Sequence, residues 1–566
     1  MQRSRHANRT DWHLPDESSP ADARFPVRRP VDASRAIRSI RARGEDLRGA
    51  PNVSEAAPSI TAPEPGSAAE LATFRDLQSR LPDLFRKVFP DPRAPRTVVI
   101  IPSLSLDQDV MARVTGAHHY EERMLCMLML LKLPRTRVIY VTSQPVSEEI
   151  IDYYLHLLPG IPATHARQRL KLFSCFDSTP KPLSAKILAR PRLLARLRDA
   201  IPEAATAHMS CFNVSVLERT LAVQLGIPIY GCDPALLPLG SKSGGRAIFR
   251  EAGVLLPAGV EDLADEGEVV AALAELKRRD PGLQRAVVKL NEGFSGEGNA
   301  IFGFEGAPDG GGLEGWIKSR LPALAFEARD MSWAVYGAKI REMGAIVEEF
   351  VEGAVKRSPS VQYRIDPLGQ IEVISTHDQV LGGRSNQVFL GCRFPADVSY
   401  RLAIQEEGLK AARILRDRGV LGRFGIDFLS VWDGSGWRHR AIEINLRKGG
   451  TTHPFMMLQF LTDGRYDSAS GEFHAPSGAS CCYYASDNLE ASIYHGLTPA
   501  DLLDIAVVNG LHFNAATQQG VVFHLIGALS EFGKFGIVCI APSFDEADRL
   551  YRETVAVLDR EQAAEK

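Results

Sequence analysis

Ala441-Ile-Glu-Ile-Asn-Leu-Arg447 alternates apolar and polar residues, as does Arg423-Phe-Gly-Ile-Asp-Phe428 before it, and the turn-forming Asp433-Gly-Ser-Gly436 lies between them. A period of two marks strands with one buried face, and the Gly-rich turn predicts that they pair as a hairpin. Ile442, Ile444 and Leu446 then face one side with Phe424, Ile426 and Phe428. Glu443, Asn445 and Arg447 face the other with Asp427. Two carboxylates and a carboxamide suit a hard cation such as magnesium, and a guanidinium beside them suits a phosphoryl group. Taken alone, the same residues also read as a solvated sheet face with a weak ion pair. The next residues, Lys448-Gly-Gly-Thr-Thr-His453-Pro454, are the kind a loop needs to grip a polar substrate.

Three more stretches carry chemistry. Lys289 ends the run Ala286-Val-Val-Lys289, and a loop with Gly293, Ser295, Gly296 and Gly298 follows. Backbone N–H groups and a lysine can cover phosphates there, although a hairpin turn reads equally well. The loop is neither a Walker P-loop nor GxGxxG, and Glu297 breaks the GxSxG of a hydrolase elbow. Ser241-Lys242-Ser243 opens a helix, and a lysine at a helix N-terminus calls for a compensating anion. Val347-Glu348-Glu349-Phe350-Val351 is an apolar strand end carrying acids, either a purine-edge contact or an ordinary edge strand.

The chain has 566 residues, enough for several domains, since single cores stop growing near roughly 250–300 residues. A net charge of -3 gives no basic field for nucleic acid. The longest uncharged apolar run, Leu125 to Leu131, is far short of the roughly 18 residues of a membrane span. The eight cysteines lack CxxC spacing and read as reduced thiols, so the cytoplasm is the default location. Residues 1–70 read as a disordered tail, poor in aromatics. Leu71, Phe74, Leu77, Leu81 and Leu84 then recur at helical spacing. From Arg96 short β-branched runs alternate with helical stretches such as Tyr120 to Leu131, which argues a parallel sheet. From Leu239 the pattern is α+β with antiparallel strands. His512 and His524 read as satisfied core histidines, and His118–His119 as a solvated face.

In order, "SKSGG…aGvllP", "VVKL" with its glycine loop, "VEEFVEG", "GIDF" and "EINLR" resemble the ATP-grasp superfamily over residues 239 to 459. "EINLRKGGTTHPF" and "VVFHLIGALSEFGKFG" look closest to its pheganomycin-type peptide-ligase branch. The resemblance implies an α/β and α+β multidomain chain. It would comprise a tail (1–70), a Rossmann-like pre-ATP-grasp domain (71–238), an ATP-grasp fold (239–460) and a small C-terminal α+β domain (461–566).

It also implies ATP and one or two magnesium ions, with manganese able to substitute, and small-molecule carboxylate and amine substrates. No nucleic acid or membrane is implied, and a homo-oligomer is left open. Lys242 and Lys289 would bind phosphates, and Gly293, Ser295, Gly296 and Gly298 would form a flap. Glu348 would contact the adenine amino group, with Glu349 and Val351 offering backbone groups to the purine. Asp427, Glu443 and Asn445 would hold metal, with Arg447 by the transferred phosphate. His453 is the nearest candidate for a base. Where many members carry an acid for the ribose, this chain reads Ala354-Val-Lys356-Arg-Ser358. A kinase acting on a hydroxyl and a silent nucleotide-binding scaffold are the alternatives.

Overall fold

A computed structural model of the chain describes residues 63–105, 115–293, 298–328, 331–382 and 388–564. The helix expected near Leu71 starts at Ala68, three residues inside the segment read as a tail. Ser67 caps it, and Glu70 is fully buried, accepting from Thr220 Oγ1 (2.6 Å) and pairing with Arg219 Nε (3.3 Å). A buried acid with charged and hydroxyl partners anchors the segment, so order begins before the hydrophobic pattern does. Residues 1–62 of the expected tail lie outside the described residues.

Four strands form a parallel sheet: β1 (Arg96–Ile101), β2 (Thr136–Thr142), β3 (Leu170–Ser174) and β4 (Ala207–Cys211), in the order β3-β2-β1-β4. Its strands are mostly buried, as helix-covered parallel strands must be. The stretch predicted as a helix over Tyr120 to Leu131 is wound more tightly, as a 3₁₀ segment over Ala117–Lys132.

A five-stranded sheet follows, built from β5 (Gly259–Leu263), β6 (Arg285–Leu290), β7 (Asn299–Gly303), β8 (Ala325–Phe326) and β9 (Ala345–Glu349), in the order β5-β9-β6-β7-β8. The third sheet holds β10 (Lys356–Arg357), β11 (Pro359–Ile365), β12 (Ile371–Gly382), β13 (Val388–Phe394), β14 (Gly422–Trp432) and β15 (Trp437–Asn445). After the small hairpin β16 (Arg465–Asp467) and β17 (Glu472–His474), the strands β18 (Cys482–Glu490), β19 (Gly520–His524) and β20 (Lys534–Ala541) extend this same sheet through β13–β18 pairing. The boundary expected at 460/461 therefore falls within one hydrogen-bonded sheet. The helix Thr452–Thr462 buries Phe455, Met457 and Leu458 in a core shared with Leu125, Leu128, Tyr483 and Phe523.

Among the described residues, no helix is long and apolar enough to cross a membrane.

The β13–β18 junction leaves no room at Gly391, where an added Cβ would lie 2.2 Å from the Ala485 carbonyl oxygen. Gly391→Ala should destabilise the protein by about 1–3 kcal/mol in thermal or urea unfolding. Gly436→Ala, in open space at the β14–β15 turn, should change stability by less than about 0.5 kcal/mol.

Candidate functional site

The β14–β15 hairpin forms as its alternation and turn require. Asp433 Oδ1 accepts from the Ser435 and Gly436 N–H groups at 2.9 Å, closing the turn. Gly425 stands opposite Asn445 and Asp427 opposite Glu443. The alternation is broken at one place. The register slips between Asp427 and Phe428, which pairs with Ala441, so Ile442 is bulged. Ala441 and Ile444 go into the core, while Ile442 lines the cleft beside Glu443. Ile442 was expected on the opposite face. The bulge reverses it because Ala441 N–H also reaches out of the hairpin to the Leu255 carbonyl (2.8 Å).

A cleft of about 580 Å³ opens over this hairpin. Lys242, Lys289, Gly293, Glu348, Glu349, Val351, Asp427 and Glu443 all line it. Lys242 is placed by the helix Lys242–Glu251. Ser241 Oγ caps that helix at Gly244 N–H (3.0 Å), and Asn291 Oδ1 takes Ser243 N–H (3.0 Å). The helix packs so closely that a Cβ at Gly244 would meet the Pro238 carbonyl oxygen at 2.0 Å. Lys242 Nζ reaches Glu443 Oε1 at 3.3 Å and also lies near Gly293. Gly298 closes against Gly293, while Ser295 and Gly296 lie outside the described residues.

The electrostatics separate the two acids. Burial, then the facing Glu443 charge, pushes Asp427 up to about 7. Burial also pushes Glu443 upward, but Lys242 and Arg447 outweigh it and leave its carboxyl below the usual range. Asn445 Nδ2 donates to Asp427 Oδ2 at 3.0 Å, and Gln379 Nε2 donates to Asp427 Oδ1 at 2.8 Å. Arg447 is not among the cleft-lining side chains, yet Glu443 and Asp427 act on its guanidinium directly. Two opposed carboxylates with amide neighbours, one of them pushed toward its neutral form by burial and then by repulsion, form a donor set that fits a hard divalent cation.

The strand end at Glu348 differs in detail from expectation. Glu348 is buried and saturated: Arg246 Nη1 and Lys289 Nζ each donate to it at 2.5 Å. The Glu349 N–H is committed to the Ala258 carbonyl (2.8 Å). The Val351 carbonyl accepts from Lys356 Nζ at 3.3 Å. Arg246, Gln379 and Asn299 are parts of the site that the sequence reading did not assign a role. Lys356, Arg357 and Ser358, where an acid was looked for, line the cleft.

His453 is not brought to the cleft. It is buried against a separate small cavity, stacked on His524 at 4.3 Å between ring centroids, and burial lowers it to about 4. His524 is not the satisfied core histidine expected. Among the described residues neither ring nitrogen has a partner of hydrogen-bonding geometry, and burial holds the imidazole well below its usual range. His512 is exposed. His118 and His119 sit at the surface with Glu531, their ligand atoms within 4.8 Å of one another.

Comparison with known proteins identifies the family of the chain. The model of the IQCH-like ATP-grasp family matches residues 236–305 and 316–469, and that of the PGM1 C-terminal domain matches residues 501–554. The L-propargylglycine–L-glutamate ligase of Streptantibioticus cattleyicolor is 30% identical over 82% of this chain and 94% of its own length. The IQ motif-containing protein H of Danio rerio is 20% identical over 88% of this chain and 51% of its own length. An ADP complex of N5-carboxyaminoimidazole ribonucleotide synthetase superposes over 82% of this chain and 98% of that one, at 12% identity and a TM-score of 0.47. The biotin carboxylase of Campylobacter jejuni superposes over 80% and 89%, at 13% identity and a TM-score of 0.48. The chain belongs to the ATP-grasp ligases. Within them it is similar to the pheganomycin-type peptide ligases, enzymes that form carbon–nitrogen bonds.

Arg246 holds Glu348 and Glu261 from inside the protein. Arg246→Met should leave Glu348 short of one partner and cost about 3–5 kcal/mol in unfolding experiments, the usual consequence of breaking a buried pair from one side. The exposed Arg278→Met, which loses a surface pair with Glu314, should cost less than about 1 kcal/mol.

Proposed function

We propose that the chain joins a carboxylate to an amine with conversion of ATP to ADP and phosphate. The observation that carries this reading is the convergence of Lys242, Lys289, Asp427 and Glu443 on one cleft. The relative in Streptantibioticus is named for two amino acids, L-propargylglycine and L-glutamate, and amino-acid-like substrates are the class we assign here.

In this reading Lys242 and Lys289 neutralise the triphosphate, and the Gly293 to Gly298 loop covers it. The base lies between Phe350 and Val351 and the β14 side chains. Glu348 positions Lys289 rather than reading the adenine directly. Asp427, Glu443 and Asn445 would hold one or two magnesium ions, with manganese as a substitute. Magnesium there would neutralise the β- and γ-phosphate oxygens. The substrate carboxylate oxygen attacks the γ-phosphorus, and the bond to ADP breaks. The amine lone pair then attacks the acyl carbon, the C–N bond forms, and phosphate leaves with the C–O electron pair while nitrogen loses a proton. Arg447 stabilises charge on the phosphoryl group in flight. The tail (1–70), the parallel-sheet region (71–238), the ATP-grasp unit (239–460) and the C-terminal stretch (461–566) are the corresponding functional division.

Glu443→Ala and Lys289→Ala should each lower turnover by at least about 100-fold. ADP release with L-glutamate and a panel of L-amino acids measures it. Trapping with hydroxylamine should yield a hydroxamate, whereas a stable phosphoester would assign a kinase instead.

In the metal-free protein Asp427 sits near 7, above its usual value, so folding favours its neutral form. That contribution to stability is complete below about pH 4 and disappears as pH rises through about 7. Magnesium competes with this proton. Its calorimetric affinity should fall by up to about tenfold per pH unit below 7 and level off above. A flat profile between pH 6 and 8 would contradict the assignment.

A further inference from the structure

Directly after Arg447 the chain walls a second cavity of about 10 Å³, room for roughly one water molecule or one amine head group. Phe212, just past β4, forms one wall, with Arg123 from the 3₁₀ segment and the Lys448 to His453 turn. Asp487 and His524 of the C-terminal strands complete it. Phe212 N–H bonds the Ile101 carbonyl at the carboxyl end of the β1–β4 pair. There the strand order β3-β2-β1-β4 reverses, and α/β sheets bind ligands at that crevice. The main chain ties it to the cleft's hairpin, since Lys448 N–H donates to the Phe212 carbonyl at 3.0 Å.

The cavity's polar atoms define what it can hold. His453 Nδ1 lies 3.1 Å from the Arg123 carbonyl oxygen. A carbonyl can only accept, so Nδ1 carries the proton and Nε2 presents a lone pair. That Nε2 is buried and, among the described residues, has no hydrogen-bond partner. Burial keeps the imidazole neutral at pH 7. Asp487, paired with Arg123, adds a carboxylate to the same wall. A buried acceptor without a donor is destabilising and calls for a ligand that brings an N–H or O–H.

We propose that this cavity receives the amine head of the acceptor substrate, which donates an N–H to His453 Nε2. The inference rests on the ligase reading above, in which an amine must arrive beside Arg447. It makes His453 a binding residue for the nucleophile and leaves it no part in the phosphate cleft. A free amino acid and a peptide N-terminus share this chemistry, and a single trapped water is the competing occupant.

Calorimetric titration of the full chain with L-alaninamide, L-alanyl-L-alaninamide and N-acetyl-L-alaninamide tests it, each with and without MgATP. The two free amines should bind saturably and the acetylated compound should not. The tighter of the two amines identifies the source. His453→Asn keeps a donor toward the Arg123 carbonyl but lacks the Nε2 lone pair. It should weaken amine binding by about tenfold or more, an effect of one lost hydrogen bond, and leave MgATP affinity within about twofold. Equal binding of the acetylated compound, unchanged affinity in His453→Asn, or no binding of either amine would overturn the proposal. Nitrogen-15 spectra of histidine-labelled wild type give a readout independent of any variant. The unprotonated His453 Nε2 resonance should move on adding L-alaninamide, and a resonance that stays fixed leaves only the water. Wild type that binds the amine but not MgATP would sink the ligase reading while leaving the amine site standing.

Discussion

Asp427 and Glu443 face each other across a two-stranded pairing, both half-buried in the cleft wall, and like charges in that position repel. The surroundings divide the burden unequally. Glu443 has the Lys242 ammonium at 3.3 Å and stays ionised, whereas for Asp427 burial and the facing Glu443 outweigh Arg447 and the amides of Gln379 and Asn445, and it is driven toward its neutral form. An arrangement that is costly without a cation and relieved by one is what a metal-dependent phosphoryl site needs. The surrounding elements support this pair. The Lys242–Glu251 helix packs on β15, Gln379 comes from β12, and β11 pairs with β14 on its other side.

A second charge network lines the same cleft. Glu348 takes both Arg246 and Lys289, so Lys289 is held by a carboxylate that is itself fixed from behind. In the proposed reading the triphosphate would meet one lysine paired with the hairpin acid Glu443 and another paired with the strand-end acid Glu348. Each lysine is restrained before ligand arrives, which lowers the entropy cost of binding.

Much of this was legible in the chain because the hairpin, the two lysines and the acidic strand end are local patterns. Period-two alternation put Asp427 and Glu443 on one face without any knowledge of the fold. It misplaced Ile442, since the register shift opposite Asp427 and Phe428 sends Ala441 into the core instead, and strict alternation does not anticipate such a shift. Arg246 and Gln379 were not assigned because their roles depend on contacts about 102 and 48 residues away in sequence. Sequence reading puts His453 in a loop beside the phosphates, but its position is set by Arg123 of the 3₁₀ segment and His524 of β19. The sheet that runs on from β13 into β18 is invisible to any boundary drawn from composition.

The central claim is that Asp427 and Glu443 are opposed in order to hold a divalent cation against a triphosphate. Crystals grown with manganese and a non-hydrolysable ATP analogue test it through the anomalous signal of the metal. The account predicts manganese density between Asp427, Glu443 and Asn445, in contact with the phosphates over Lys242 and Lys289. Manganese found only elsewhere, such as at His118, His119 and Glu531, with the analogue bound and the hairpin carboxylates bare, would contradict it.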